Sequence, residues 1–281
     1  MSENKEQIRR ELMRKQTEEL IRHRLSYLPE IKKEIQHYLE ISQTNRQSSN
    51  LKKSLSRLEG FPDISKVLEE NDPHKISPIF GEFERTKSIA RVEILAIRTN
   101  LALGLNNWHI GKHALRDVNG VKTGEFDVMA LWASNIVPDT HWLSFQLPAR
   151  ITAVHSDSSH RVAFGLGTSL DDFSTSIVQT ELPQNWTDPL KDSLHHLELF
   201  PGEGKRQISL NGIFYELYTY SWASQSLIEF GNPEIMESKS FAEIERSLFS
   251  IAAMIINEKG QQPEKEFLSI WQKCLVKSKN A

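Results

Sequence analysis

The sequence predicts an α+β fold: a helical N-terminal arm, an antiparallel β-rich body of sandwich or barrel type, and a C-terminal helical hairpin packed on that body. Three observations predict it. Residues 1–60 repeat apolar side chains at helical spacing, residues 108–232 switch to short β-branched and aromatic runs divided by Gly, Pro, Asn and Asp, and helical spacing returns from residue 240. With 281 residues, 38% hydrophobic and 25% charged, the chain can bury a core without disulfides or structural metal. The expected division is an arm over 1–60 and a body over 61–281, the body carrying leading helices in 62–103 and closing helices in 240–276.

Within the arm, Ile21, Leu25 and Leu28 recur at i, i+4 and i+7, as do Leu51, Leu55 and Leu58, and Ile31, Ile35 and Leu39 continue a similar stripe. Pro29 fits the first turn of a new helix, where its missing N–H costs nothing. The polar run Ser42–Asn50 breaks the pattern, and Gly60 fits a helix stop. Such narrow stripes suit a helical hairpin or coiled coil. A short helix is expected over Ile64–Glu70, ending before Asp72-Pro73. A long one follows over Phe83–Leu103, with Ile89, Ala90, Ile94, Ile97 and Leu101 on one face, Val92 and Leu95 widening it, and Gly104 closing it. This breadth predicts burial on more than one side.

Strands are expected over Val121–Trp132, His141–His155, Arg161–Gly167, Ser174–Leu182, His195–Phe200, Arg206–Tyr220 and Ser226–Phe230. Asn211-Gly212 and Asn119-Gly120 are tight-turn signals. After them, Ser240-Phe241-Ala242-Glu243 matches a capping box, the run Leu248–Ile256 is apolar nearly all round, and Gly260 ends that helix. A last helix over Gln262–Val276 places Phe267, Ile270, Trp271 and Cys274 at helical spacing.

Charge and cysteine content narrow the function classes. The net charge is −3, but residues 1–60 hold 13 Lys+Arg against 9 Asp+Glu, and the remainder 21 against 28. A basic arm on an acidic body fits either phosphate or an acidic protein surface. The single cysteine excludes an intramolecular disulfide and any multi-cysteine zinc site. No apolar stretch reaches membrane-spanning length and the charged N-terminus has no signal-peptide core, so a cytoplasmic, non-membrane protein is expected.

Catalytic and cofactor motifs are sparse. Pro201-Gly202-Glu203-Gly204-Lys205-Arg206 lacks the first Gly of a P-loop and the Ser or Thr after its Lys, and reads as a hairpin turn. His155, Asp157 and His160 offer three possible metal ligands within six residues, but the spacing matches no established ligand pattern and a polar turn between strands is the favoured reading. His195, His196 and Glu198 fall on an expected strand, His196 and Glu198 sharing a face. No nucleophile elbow is present, and Cys274 sits on an apolar helix face.

One constellation carries a family resemblance. Glu93 on the long helix, Gly124-Glu125-Phe126-Asp127-Val128 entering a strand, and the strand Trp142–Leu147 follow in an order similar to the start of PD-(D/E)XK nucleases. The resemblance covers about residues 89–147. It implies that Glu93, Glu125 and Asp127 hold Mg²⁺ at a scissile DNA phosphate, with Gln146 in place of the family's lysine. Ser144 stands where the second acid belongs, so the pattern is incomplete. The favoured reading sets Glu125 and Asp127 on the solvent face of a sheet whose core face holds Phe126 and Val128.

The leading expectation is a non-catalytic interaction or assembly protein that needs no cofactor. Its body binds a protein partner and its arm docks or self-associates through Arg9, Arg10, Arg14, Arg22, Arg24, Lys32 and Lys33. The Mg²⁺-dependent nuclease, with the basic arm gripping nucleic acid, is the alternative. A small-ligand or carbohydrate module built on Trp108, Trp132, Trp142, Trp186, Trp222 and Trp271 is a third.

Overall fold

The computed structural model describes residues 2–43, 49–63, 66, 67, 69, 73–104, 126–136, 144–155, 160–169, 171–182, 185, 192–194, 196, 212–220, 225–231 and 239–259. Four helices come first: α1 (Ser2–Leu25), α2 (Leu28–Gln43), α3 (Ser49–Glu59) and α4 (Pro73–Ala102). Six strands follow, β1 (Phe126–Ile136), β2 (Ser144–His155), β3 (His160–Gly167), β4 (Thr175–Leu182), β5 (Gly212–Tyr220) and β6 (Gln225–Gly231). Helix α5 (Lys239–Lys259) comes last among the described elements.

The arm stripes fold as helices, and their apolar faces are buried against α4. Ile31, Ile35 and Leu39 of α2, with Leu51 and Leu58 of α3, share one core with Ile76, Phe80, Phe83, Ala90, Ile94 and Ile97 of α4. The narrow stripes therefore line a helical bundle, because α4 supplies enough apolar surface to cover both. Pro29 takes the second position of α2, and Gly60 follows the last residue of α3. α4 starts ten residues earlier than the sequence predicts, at Pro73, where a proline costs little. It continues through Pro78, which removes a backbone bond, because the buried Phe80 and Phe83 hold that first stretch on the bundle. At its other end Gly104 adopts φ +70°, the left-handed turn that ends a helix and suits glycine.

All six strands belong to one antiparallel sheet of order β4-β3-β2-β1-β5-β6. The expected sandwich or barrel thus takes the form, among the described residues, of a single open sheet whose facing layers are helical. The register assigns the two faces. Ile151, Val162, Phe164, Leu166, Val178, Tyr215 and Leu217 pack on Ile244, Leu248, Ile251, Ala252 and Ile255 of α5. The alternate positions of β2 and β3 meet α4: Arg150 Nη2 donates to Asn100 Oδ1 at 3.3 Å, and Gly165 lies under Thr99 and Leu95. A Cβ on Gly165 would sit 2.5 Å from Thr99 Cγ2, so only glycine permits this approach. α4 is therefore buried on two sides, between the bundle and the sheet.

Three rings tie β5, β6 and α5 together. Tyr215 stacks on Phe230 at 4.6 Å between centroids, and Phe230 on Phe241 at 4.9 Å. The hydroxyl of Tyr215 donates to the Glu245 carboxylate. α5 begins one residue before the expected cap, and Ser240 Oγ reaches the His196 carbonyl at 3.5 Å, so this hydroxyl helps to link two segments. α5 is also one-sided where the sequence reads as apolar all round, since Ser250 and Met254 are exposed. The expected strand over His195–Phe200 is not one at His196, which ends a helical turn through its N–H to Asp192 O at 3.3 Å. The rest of that strand, the Asn119-Gly120 turn, Asn211, the 201–206 loop and the helix over Gln262–Val276 with Cys274 lie outside the described residues.

Candidate functional site

From Lys5 to Gln16 α1 stands in solvent. The sequence from Lys5 to Gln16 contains Glu, Arg, Lys, Gln, Leu, Met and Ile, mostly strong helix formers, and has neither Gly nor Pro. Ion pairs one turn apart support it: Glu6 with Arg10 at 2.6 Å, Glu11 with Lys15 at 3.8 Å, and Arg14 with Glu18 at 3.6 Å. Apart from half-buried Met13, all residues from Lys5 to Gln16 are exposed. Among them Ile8 and Leu12, adjacent on one face, are 61% and 56% exposed. They are the two most exposed large apolar residues described.

The root of α1 is held differently. Ile21 and Leu25 enter the bundle core, and Arg24, only 5% exposed, enters a charge cluster. Arg24 Nη1 lies 3.4 Å from Glu84 Oε2, and Arg24 Nε 3.6 Å from Asp171 Oδ1. Lys87 Nζ lies 2.8 Å from Glu84 Oε1 and 5.0 Å from the Phe83 ring centroid. Arg91 Nη2 donates to the Asp172 carbonyl at 3.1 Å. Burial, opposed by Glu84, brings the Lys87 ammonium down to about 8, with Arg91 and Arg24 adding to the fall. The same burial brings Arg91 to about 10. Burial works against the Asp172 carboxylate, but hydrogen bonds from Ser174 and Ser169 and the charge of Arg91 outweigh it and hold that group below its usual range.

The predicted contact residues divide accordingly. Arg9, Arg10, Arg14 and Arg22 are exposed on α1; Lys33 is exposed and Lys32 half-buried on α2. Arg24 differs in place: it is buried, because its position on the helix falls on the body side with Ile21 and Leu25. The pair Ile8 and Leu12, absent from that set, has a signal in the sequence, an i, i+4 apolar pair in an otherwise charged helix.

A second anchor joins α2, α4 and the β3–β4 connection. The Arg98 guanidinium donates to Glu34 Oε1 at 3.0 Å, the Phe173 carbonyl at 2.9 Å, Thr175 Oγ1 at 2.8 Å and the Tyr38 hydroxyl. Burial raises Glu34, against the pull of Arg98.

The residues of the nuclease-like pattern take separate places. Glu93 on α4 accepts from Asn50 Nδ2 of α3 at 2.6 Å. Burial raises its carboxyl, while the Asn50 bond and Arg150 work to lower it. Asp127 pairs in register with Ala153 and Thr219, and Gln146 with Ser134. Glu125 and Asp157 lie outside the described residues. His155 and His160 are register partners at the end of the β2–β3 pairing. Trp132 pairs with Pro148 and Phe214, and the other five tryptophans lie outside the described residues.

A shallow cleft of about 340 Å³ lies between residues 192–196 and the start of α5, lined by Asp192, Ser193, His196, Glu243, Arg246 and Ser247. The two serine hydroxyls are 3.0 Å apart. His196 Nδ1 is 2.8 Å from the Asp192 carbonyl, which only accepts, so Nδ1 is the donor of this bond. Nothing in the sequence pattern groups these residues.

Among the described residues no three His, Cys, Asp or Glu side chains are grouped to hold a metal ion, and no helix is long and apolar enough to cross a membrane. No family model, curated protein or solved structure matches the chain.

Proposed function

We propose that this chain is a non-catalytic, intracellular assembly protein that contacts a second copy of itself through the outer part of α1. The observation that carries this reading is the exposure of Ile8 and Leu12, one turn apart, on a helix that stands off the body. A charged helix extending into solvent without an apolar contact to make is sustained by its own ion pairs, as here, and needs no such pair of apolar side chains. A protein surface suits this helix better than a phosphate backbone does. Arg10, Arg14 and Lys15 already face acids one turn away, so phosphate would have to displace those carboxylates.

The nuclease alternative receives less support. Glu93 is engaged by Asn50, and its helix covers the sheet face opposite to the one that α5 covers.

Sedimentation velocity over a concentration series tests the proposal, comparing the natural chain with the double variant Ile8→Asp, Leu12→Asp. Association in the natural chain and a monomer in the variant, with equal thermal melts at a dilution where both are monomeric, is the expected result. A natural chain that stays monomeric, or a variant that associates equally, overturns it. Salt-steep DNA binding with Mg²⁺-dependent cleavage would favour the nuclease instead.

A further inference from the structure

The root of α1 holds a charge cluster that has one way to relax when its buried carboxylate is lost. Three cations from two helices meet there, Arg24 of α1 with Lys87 and Arg91 of α4, at 5%, 0% and 1% exposure. Glu84, at 7%, is the one carboxylate among the described residues that is buried as deeply. Its two oxygens are divided between Arg24 and Lys87. Asp171 and Asp172, on the β3–β4 connection, complete the balance from half-exposed positions. A buried cation that loses its counter-charge must be neutralised or moved into water. Lys87 and Arg91 sit in the middle of a 30-residue helix wedged between bundle and sheet, so they cannot leave without it. Arg24 can. It lies one residue from the end of α1, whose outer part is already in solvent.

We propose that this cluster is a release latch for the assembly helix: loss of the Glu84 charge expels Arg24 and frees α1 from the body, while removal of a neighbouring buried cation seats it more firmly. The proposal rests on the reading of α1 as the assembly surface and supplies its regulation, since a freed helix presents Ile8 and Leu12 in new directions and gains the apolar face of Ile21 and Leu25. The groups that face Lys87 set the direction of its pH response: Arg24 from α1, Glu84 and Arg91 from α4, with Asp171 and Asp172 facing Arg91 from the β3–β4 connection. Arg24 and the protonated Lys87 repel, so seating Arg24 favours loss of the Lys87 proton. By reciprocity, raising the pH through about 8 tightens the latch.

Hydrogen–deuterium exchange of the full chain, read by mass spectrometry, tests this without reference to assembly. Glu84→Gln is expected to speed exchange of the amides from Ile21 to Tyr27 tenfold or more, with β3 and α5 unchanged. Lys87→Met is expected to slow the same amides, and the double variant to return toward the natural chain. Exchange that rises equally in α4 and the sheet on Glu84→Gln would overturn the latch, as would a double variant no closer to the natural chain than Glu84→Gln alone. Should Glu84→Gln fail to fold, Lys87→Met decides alone: no slowing at the root of α1 is fatal. A chain that never self-associates but shows these exchange changes refutes the assembly reading and leaves the latch standing. Assembly abolished by the Ile8 and Leu12 variant without these exchange changes does the reverse.

Discussion

From Lys5 to Gln16, α1 is exposed and its ion pairs run one turn along its own surface, whereas from Ile21 to Leu25 the same helix is buried and its Arg24 reaches Glu84, sixty positions away in the chain. The outer pairs stay hydrated and contribute little, a few tenths of a kcal/mol each. The Arg24–Glu84 and Lys87–Glu84 pairs are cut off from water, where breaking one strands a charge at a cost of about 3–5 kcal/mol. One helix thus has a tip whose side chains are replaceable without harm to the fold and a root whose side chains are not. The tip is the surface to which the proposed contact is assigned, and the root fixes where the helix leaves the body.

Substitutions that separate the two ends sharpen this contrast. Leu25→Ala removes a 3% exposed side chain from the bundle core and is expected to lower stability by about 2–5 kcal/mol in urea unfolding. Leu12→Ala, the same chemical change on the exposed tip, is expected to stay within about 0.5 kcal/mol. Equal losses at the two positions would break the comparison.

The root should also reveal itself through pH. The folded chain releases the Lys87 proton near 8, while an unfolded lysine keeps it to about 10.5. Between those values the unfolded state binds more protons, so the Lys87 contribution makes stability rise with pH. The urea midpoint of the natural chain should therefore gain on that of Lys87→Met between pH 8 and 10. A constant difference would mean that Lys87 is not held in its neutral-favouring surroundings. Smallest of all, Arg10→Ala is expected to cost no more than about 0.5 kcal/mol, and that cost should shrink in 1 M salt, because the Glu6 pair is exposed.

Local patterns and the fold agree where one element decides its own structure. The stripes Ile31-Ile35-Leu39 and Leu51-Leu55-Leu58 announce α2 and α3, Gly104 announces the end of α4, and four strands agree with their expected bounds to within three residues. Agreement weakens where a partner decides. The narrow stripes suit a coiled coil until α4 is known to cover them. Pro78 argues against helix, and is carried by the burial of Phe80 and Phe83 in a core that periodicity does not describe. Alternation in the strands fixes that there are two faces, but not whether sheet or helix covers them. At the candidate site the cations of the tip are visible as composition, and Arg24 is told apart from Arg22 only by its place on the helix, on the face of Ile21 and Leu25. The latch joins residues 24, 84, 87, 91, 171 and 172, a grouping created by packing alone.

The central claim is that the tip of α1 makes the contact and the body does not depend on it. Sedimentation velocity of the natural chain and the Ile8→Asp, Leu12→Asp variant, run beside thermal melts, addresses both halves at once. The account predicts a concentration-dependent assembly that collapses to monomer in the variant, with melting temperatures that agree once both are diluted to monomer. An assembly indifferent to both substitutions, or a variant that melts far below the natural chain, would contradict it.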